Sequence, residues 1–240
     1  MKPKKSKYFS EQIEAFFKNV YFGLLPRKMK ETSQSKFREK VFEKIMNERR
    51  WGESNISGGG STIEFTKSAR EIILHVINDF NIKSLLDVAC GDFIWMPIVL
   101  KALKNDFKYI GCDIASSLIK RHKISYPEYE FRTLDFVNDQ LPQCDLIICR
   151  DALQHLPIKD IQKSLKQFSN SGAKYLLATT HLRYPQWKNK RDIRVGQCRD
   201  RNLILEPFNL DDPIIIYNER NIGNKFLGLW KLPLEYKKGV

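Results

Sequence analysis

The sequence predicts an α/β protein: a seven-stranded, mostly parallel sheet with helices on both faces, preceded by a helical N-terminal extension. Three observations carry this expectation. From residue 83 onward, short apolar runs alternate with helical patterns. The runs are apolar throughout rather than at every second position, as in strands buried on both faces. Ligand-capable polar residues stand just beyond four of the runs, where parallel sheets hold their ligands. The 240 residues, 42% hydrophobic, suffice for one sizeable core.

Residues 8–25 read as an amphipathic helix, with Tyr8, Ile13, Phe16, Phe17, Val20 and Leu24 near helical spacing and Pro26 ending it. A second helix at 33–50 carries Phe37, Val41, Phe42 and Ile45. The run Gly58-Gly59-Gly60 interrupts regular structure. Helix resumes over Thr62–Phe80, with Ser61 or Thr62 as its cap. Strands are expected at Ser84–Ala89, Phe107–Ile114, Tyr129–Asp135, Cys144–Cys149, Lys174–Thr179, Pro213–Tyr217 and Phe226–Leu232. Helices are expected at Phe93–Lys104, Ser116–Ile124 and Ile158–Phe168. Two regions result: a basic helical extension, 1–50, and an α/β domain, 51–240. Within the second, 182–212 is long for a connection and reads as a substrate lid. The glycines at 58–60 read as an opposing flap.

The formal net charge of +13 is uneven, with +8 on residues 1–50. A second basic cluster comprises Lys188, Lys190, Arg191, Arg194, Arg199 and Arg201. A basic extension can meet an anionic surface, nucleic acid or an acidic substrate, and a solvated lysine-rich helix gives the same pattern. No apolar stretch follows the basic N-terminus as in a signal peptide, and no window approaches a membrane span of about 18 apolar residues. The cysteines are odd in number and form no CxxC pair. Together these point to a reducing, cytoplasmic setting without structural zinc.

The four strand ends give the chemistry. Asp87–Phe93 is a strand followed by a tight turn, with Gly91 allowing close backbone approach. Ala89 and Phe93 stand where a dinucleotide fingerprint has glycine, which argues against a pyrophosphate ligand. Asp113 ends the second strand and can accept both hydroxyls of a ribose. Asp135, followed by Phe136, can hold an adenine amino group and cover its ring. Arg150, Asp151 and His155 follow the fourth strand. Any one of these carboxylates could be a turn or cap residue; four in register point to a nucleoside cofactor.

The run from Leu85 to about Tyr175 resembles the class I S-adenosylmethionine-dependent methyltransferases, which have a Rossmann-like sheet. The resemblance implies that Asp87–Gly91 wraps the methionine part of the cofactor, Asp113 binds its ribose and Asp135 its adenine. Trp51-Gly52 and Ser57–Ser61 look like the entry segment of a smaller, glycan-modifying group. So do Thr179-Thr180-His181, Asp192-Ile193, Gly196, Arg199, Asn202-Leu203, Pro207–Leu210 and Leu227–Trp230. The implied cofactor-binding residues before the second strand are Trp51, Ser57, Gly58, Asp87, Ala89, Gly91 and Asp92. Those beyond it are Asp113, Ile114, Asp135, Phe136 and Arg150. The implied reaction is transfer of a methyl group to a sugar hydroxyl in a glycan or glycan precursor.

A sugar hydroxyl is a poor nucleophile at neutral pH, so a positioned base helps. Asp151, His155 and His181 are the candidates, with Asp151 and His155 meeting across one helical turn. Asp151 could instead cap a helix, and His155 could be a packed neighbour. Arg194, Arg199, Asp192 and Trp187 are expected to hold the acceptor, through planar donors and a stacking face. No metal-ligand spacing is present. Three alternatives stay open: an N-methyltransferase on a small amine or phosphoamine, an RNA-directed methyltransferase, and a non-catalytic cofactor-binding module. Against nucleic acid, no Asn/Asp-Pro-Pro-Tyr/Phe motif follows the fourth strand.

Overall fold

A computed structural model describes residues 27–53, 55–182, 187–219 and 224–237. The expected helix at 8–25 lies outside these. The chain divides into two compact units, Met1–Phe37 and Arg38–Val240. Residues 38–50, grouped with the extension in the sequence reading, thus belong to the larger unit. Helix α1 is Arg27–Asn47, α2 Lys67–Asp79, α3 Met96–Lys101, α4 Ser116–Ser125 and α5 Ile158–Asn170, followed by a single turn, α6, at Trp187–Lys190. The strands are β1 Ser84–Val88, β2 Lys108–Asp113, β3 Glu130–Thr133, β4 Leu146–Cys149, β5 Tyr175–His181, β6 Ile215–Asn218 and β7 Lys225–Lys231. Gly59–Ser61 and Leu153–His155 are 3-10 turns.

The sheet has seven strands in the order β3-β2-β1-β4-β5-β7-β6. The pairings among β1 to β5 are parallel, and β7 runs antiparallel to both β5 and β6. The chain winds outward from β1 to β3, then returns to lay β4 on the other side of β1. That reversal opens a crevice beyond the carboxyl ends of β1 and β4. Successive residues serve opposite faces. Leu86, Ile147, Leu176 and Trp230 pack with α5 residues Ile161, Leu165 and Phe168. Leu85, Leu146, Leu177 and Leu229 pack with Ile73 and Val76 of α2 and Val99 of α3. The all-apolar strands are the sequence trace of this two-sided burial.

Several described residues of the 182–212 stretch are tied into the core. Leu203, Phe208 and Leu210 are fully buried in the core shared with α5. Asn189 Nδ2 donates to Asn202 O at 2.7 Å, and Arg201 Nη1 donates to Asn189 O and Arg191 O. No described helix is long and apolar enough to cross a membrane.

The turn after β1 explains the missing glycines. Ala89 and Phe93 both have positive φ, 62° and 58°, in the left-handed region that glycine enters without strain. Phe93 is held there by its ring. It packs edge-on against Tyr126 and Phe131 at 4.9 Å each, with Tyr109, Tyr129 and His122 around it. Ala89→Gly should therefore change stability by no more than about 1 kcal/mol, since strain relief offsets added chain entropy. Phe93→Ala should cost about 3–5 kcal/mol by emptying an aromatic core. Urea midpoints of the two variants check the contrast.

Candidate active site

A cavity of about 240 Å³ lies at the crevice between β1 and β4. The turn after β1 forms its floor. Gly91 N donates to Asp113 Oδ2 at 3.1 Å, and Ala115 N donates to Asp113 Oδ1 at 3.0 Å. Asp113 thus braces the turn while facing the cavity. A Cβ on Gly91 would stand 2.5 Å from Ser57 Oγ, so glycine is required for the 51–61 segment to close on the turn. Ser57 N donates to Asp92 Oδ2 and Asp92 N donates to Ser57 Oγ, at 3.2 and 2.8 Å. Asp92, expected to touch cofactor, is instead one half of this clasp and does not line the cavity. Every other expected cofactor residue does line it: Trp51, Ser57, Gly58, Asp87, Ala89 and Gly91 on one side, and Asp113, Ile114, Asp135, Phe136 and Arg150 on the other.

Two of these carboxyls are poorly compensated. Burial pushes the Asp87 carboxyl up to about 7, although Tyr109 Oη donates to it at 3.0 Å. Burial also raises Asp113 to about 6, against the pull of its backbone donors. Asp135 differs. Arg38 of α1 donates to it through Nε at 3.2–3.3 Å and through Nη2 at 2.6 Å, and through Nη1 to Asp160 Oδ2 at 3.0 Å. Val137 N and Asn138 Nδ2 fill its remaining acceptor directions. A carboxylate offers about four lone-pair sites, so Asp135 has none left for an adenine amino group. It shapes the cavity wall by anchoring α1 rather than by reading a base.

Beyond β4, charges gather. Arg150 Nε and Nη2 donate to Glu219 Oε1 at 3.1 and 2.5 Å, and Nη2 also donates to Gly60 O at 2.9 Å. Arg150 Nη1 lies 3.3 Å from Asp151 Oδ2. Lys225 Nζ donates to that same oxygen and lies 3.0 Å from Glu219 Oε1. Asp151 has φ 55°, and its N donates to Thr179 Oγ1 at 2.9 Å. Its Oδ1 is buried without a hydrogen-bond partner among the described residues, on a side chain that lines the cavity. Burial pushes the Asp151 carboxyl up, but Arg150 and Lys225 outweigh it and hold the group below the ordinary carboxylate range.

The expected pairing of Asp151 with His155 does not form. The chain makes a 3-10 turn at Leu153–His155 instead of an α-helix starting at Asp151. The His155 ring lies 4.5 Å from that of Trp51, and Nδ1 faces Gln197 O at 3.1 Å. Nδ1–H therefore donates there, which leaves Nε2 with the lone pair. Burial holds His155 below its ordinary value. His181 is buried but does not line the cavity. Arg201 N donates to its Nδ1 at 3.2 Å, and Nε2 faces Asp200 Oδ1 at 3.5 Å.

Of the expected acceptor-binding residues, Asp192, Arg194 and Arg199 do not line the cavity either. Asp192 accepts from Ile158 N at 2.8 Å, at the start of α5. Arg194 is exposed. Arg199 N donates to Gln154 O at 2.9 Å beside the cavity wall, with Nε buried and unpartnered. The Trp187 side chain lies outside the described residues. Conversely, Arg38, Phe42, Met46 and Trp95 line the cavity, and Glu219 and Lys225 complete the charge cluster, though none was expected in the site. Spacing gave no signal for them: the first three lie on α1, and the last two flank a hairpin remote in sequence. Among the described residues, no three His, Cys, Asp or Glu side chains group as a metal would need.

Two outcomes follow for the ligand-free protein. The folded Asp87 value of about 7 lies above the ordinary 3.8. The folded state therefore keeps a proton that the unfolded chain has already released, and stability falls as pH rises between those values. Asp87→Asn should raise the thermal midpoint, by several degrees near about pH 8 and by little near about pH 4, in thermal melts at both values. Arg38→Leu leaves buried Asp135 without its counter-charge and should cost about 3–5 kcal/mol in chemical denaturation, with Arg38→Lys recovering part.

Residues 86–172 match the family described as a methyltransferase domain. No curated protein sequence matches the chain. The fold is similar to that of the N-methyltransferase NodS from Bradyrhizobium japonicum WM9 in complex with S-adenosylhomocysteine. That match has a TM-score of 0.56 at 11% identity and covers 80% of this chain and 98% of the other. It is also similar to magnesium protoporphyrin IX methyltransferase from Synechocystis PCC 6803 with bound S-adenosylhomocysteine, at TM-score 0.50 and 13% identity, covering 71% and 85%. The methyltransferase domain of bacterial CtHen1 matches at TM-score 0.50 and 14% identity, covering 70% and 99%. Residues 86–172 thus match the methyltransferase domain family by sequence, and the sheet that carries them is similar in fold to these solved methyltransferases.

Proposed function

We propose that the cavity binds S-adenosylmethionine and that the protein methylates a hydroxyl group of a sugar, in a glycan or glycan precursor. The observation that carries this reading is Asp151: one oxygen is anchored by two cations, while the other is buried, unpartnered and on a cavity-lining side chain. A carboxylate so placed accepts a proton from a hydroxyl donor. S-adenosylmethionine supplies an electrophilic methyl group when bound. Gly91 lines the cavity, and its lack of a side chain suits the close approach of such a ligand to the backbone. Asp113 would take the ribose hydroxyls, Asp87 and the Ala89–Gly91 turn the methionine part, and Ile114 and Phe136 the base. His155, with Nε2 free, would orient the acceptor against Trp51. The sugar class is supported by the resemblance of the Trp51–Ser61 and 179–210 segments to glycan-modifying enzymes. Arg199 and Arg194, which flank Gln197 beside His155, remain the proposed acceptor contacts, together with Asp192 and Trp187.

The proposal fixes a pH dependence. A ligand ammonium group beside Asp87 favours its ionised form, so binding below its value of about 7 must release a proton. Affinity for S-adenosylhomocysteine should fall by up to about tenfold per pH unit on going from about pH 7 to about pH 5.5. Calorimetry at several pH values measures it; a flat profile would count against Asp87 at the methionine end. With labelled S-adenosylmethionine, Asp151→Asn should lower methyl transfer to a polysaccharide acceptor by about 10²–10⁴-fold, with S-adenosylhomocysteine affinity nearly unchanged. Turnover on an amine that survives Asp151→Asn would instead establish N-methylation.

A further inference from the structure

We propose that Lys225, at the start of β7, is the positioning residue for Asp151: by holding Oδ2, it leaves the buried Oδ1 of this cavity-lining side chain as the atom that receives the acceptor's proton. The inference rests on the hydroxyl-methylation reading above and extends it to a residue that touches neither cofactor nor acceptor. Its ground is the asymmetry of the carboxylate. Arg150 Nη1 and Lys225 Nζ both address Oδ2, while Oδ1 has no hydrogen-bond partner among the described residues. Arg150 alone could not impose this. Its Nε and Nη2 are committed to Glu219 and Gly60 O, and its contact with Asp151 is the long one at 3.3 Å. Lys225 is the cation that faces Asp151 from across the sheet edge, opposite His181 in the β5–β7 register.

Glu219 keeps Lys225 in place. Its Oε1 lies 3.0 Å from Lys225 Nζ and also accepts from Arg150, and its side chain is fully buried. The remaining groups around Asp151 cannot replace Lys225. His181 is turned to Arg201 and Asp200. His155 is held at Gln197 O and stacked on Trp51. Thr179 Oγ1 receives the backbone N–H rather than approaching the carboxylate. In the working cycle the proton leaves the acceptor hydroxyl for Oδ1, then passes to solvent when the methylated product departs. Lys225 and Arg150 keep their own protons throughout and serve to keep Asp151 ionised before the transfer.

The test compares wild type, Lys225→Met and Lys225→Arg. Carbon-13 carboxyl labelling of aspartate gives the Asp151 signal, assigned by its loss in Asp151→Asn. Lys225→Met should move the Asp151 titration upward by about one pH unit or more, while Lys225→Arg leaves it near the wild-type position. Affinity for S-adenosylhomocysteine should change by less than about threefold in both. With a hydroxyl acceptor, the acid limb of the kcat profile should move with the carboxyl titration in Lys225→Met and return in Lys225→Arg. An Asp151 titration that ignores Lys225→Met overturns the proposal, as does an acid limb that stays put while the titration moves. If Lys225→Met fails to fold, Lys225→Gln serves the same comparison. Absence of turnover on every hydroxyl acceptor would overturn the hydroxyl reading, while the titration would still decide what Lys225 does to Asp151.

Discussion

Four charges beyond the sheet must neutralise one another, and the site depends on their doing so. Arg150, Asp151, Glu219 and Lys225 lie within ion-pair distance in a closed set, with side chains from fully buried to about one-fifth exposed. Removing charges from water is costly, so a partial set would be expelled or neutralised by protonation. The set therefore fixes several elements at once. It joins the turn after β4 to the β6–β7 hairpin through Glu219 and Lys225, and to the glycine segment through Gly60 O. The Arg150 guanidinium also lies over the Trp95 ring, 5.6 Å from its centroid, which ties the cluster to the turn before α3.

The other carboxyls of the cavity are handled in the opposite way. Asp135 is saturated by Arg38, but among the described residues no cation lies within ion-pair distance of Asp87 or Asp113. Their raised values express a cost that a ligand bearing an ammonium group and hydroxyls can offset. This is the usual tension between stability and function: the groups that make the pocket receptive weaken the empty protein. The clasp of Ser57 with Asp92 and the brace of Asp113 on Gly91 hold the turn in shape without drawing on Asp87.

The fold was legible in the sequence because its two-sided burial writes apolar runs, and apolar runs separated by helices imply parallel strands. All seven expected strands form, with ends shifted by a few residues. Asp87, Gly91, Asp113 and Asp151 were legible because parallel topology brings every strand end to one rim. What escaped was tertiary. Nothing local in α1 marks Arg38 as the partner of Asp135, 97 positions away. Lys225 reads as the charged end of a strand until β7 is laid beside β5. The expected helix at Asp151 failed because that residue takes a left-handed turn, so the contact with His155 that a helix would have made is absent. The expectation of a lid at 182–212 did not foresee that Leu203, Phe208 and Leu210 supply core.

A crystal structure of the protein with S-adenosylhomocysteine tests the central claim most directly. The ribose hydroxyls should lie on Asp113, the amino group beside Asp87, and the sulfur on the cavity wall that carries Asp151, with Oδ2 still held by Arg150 and Lys225. A ligand whose ribose lies away from Asp113, or whose sulfur faces a wall other than the one carrying Asp151, would contradict it.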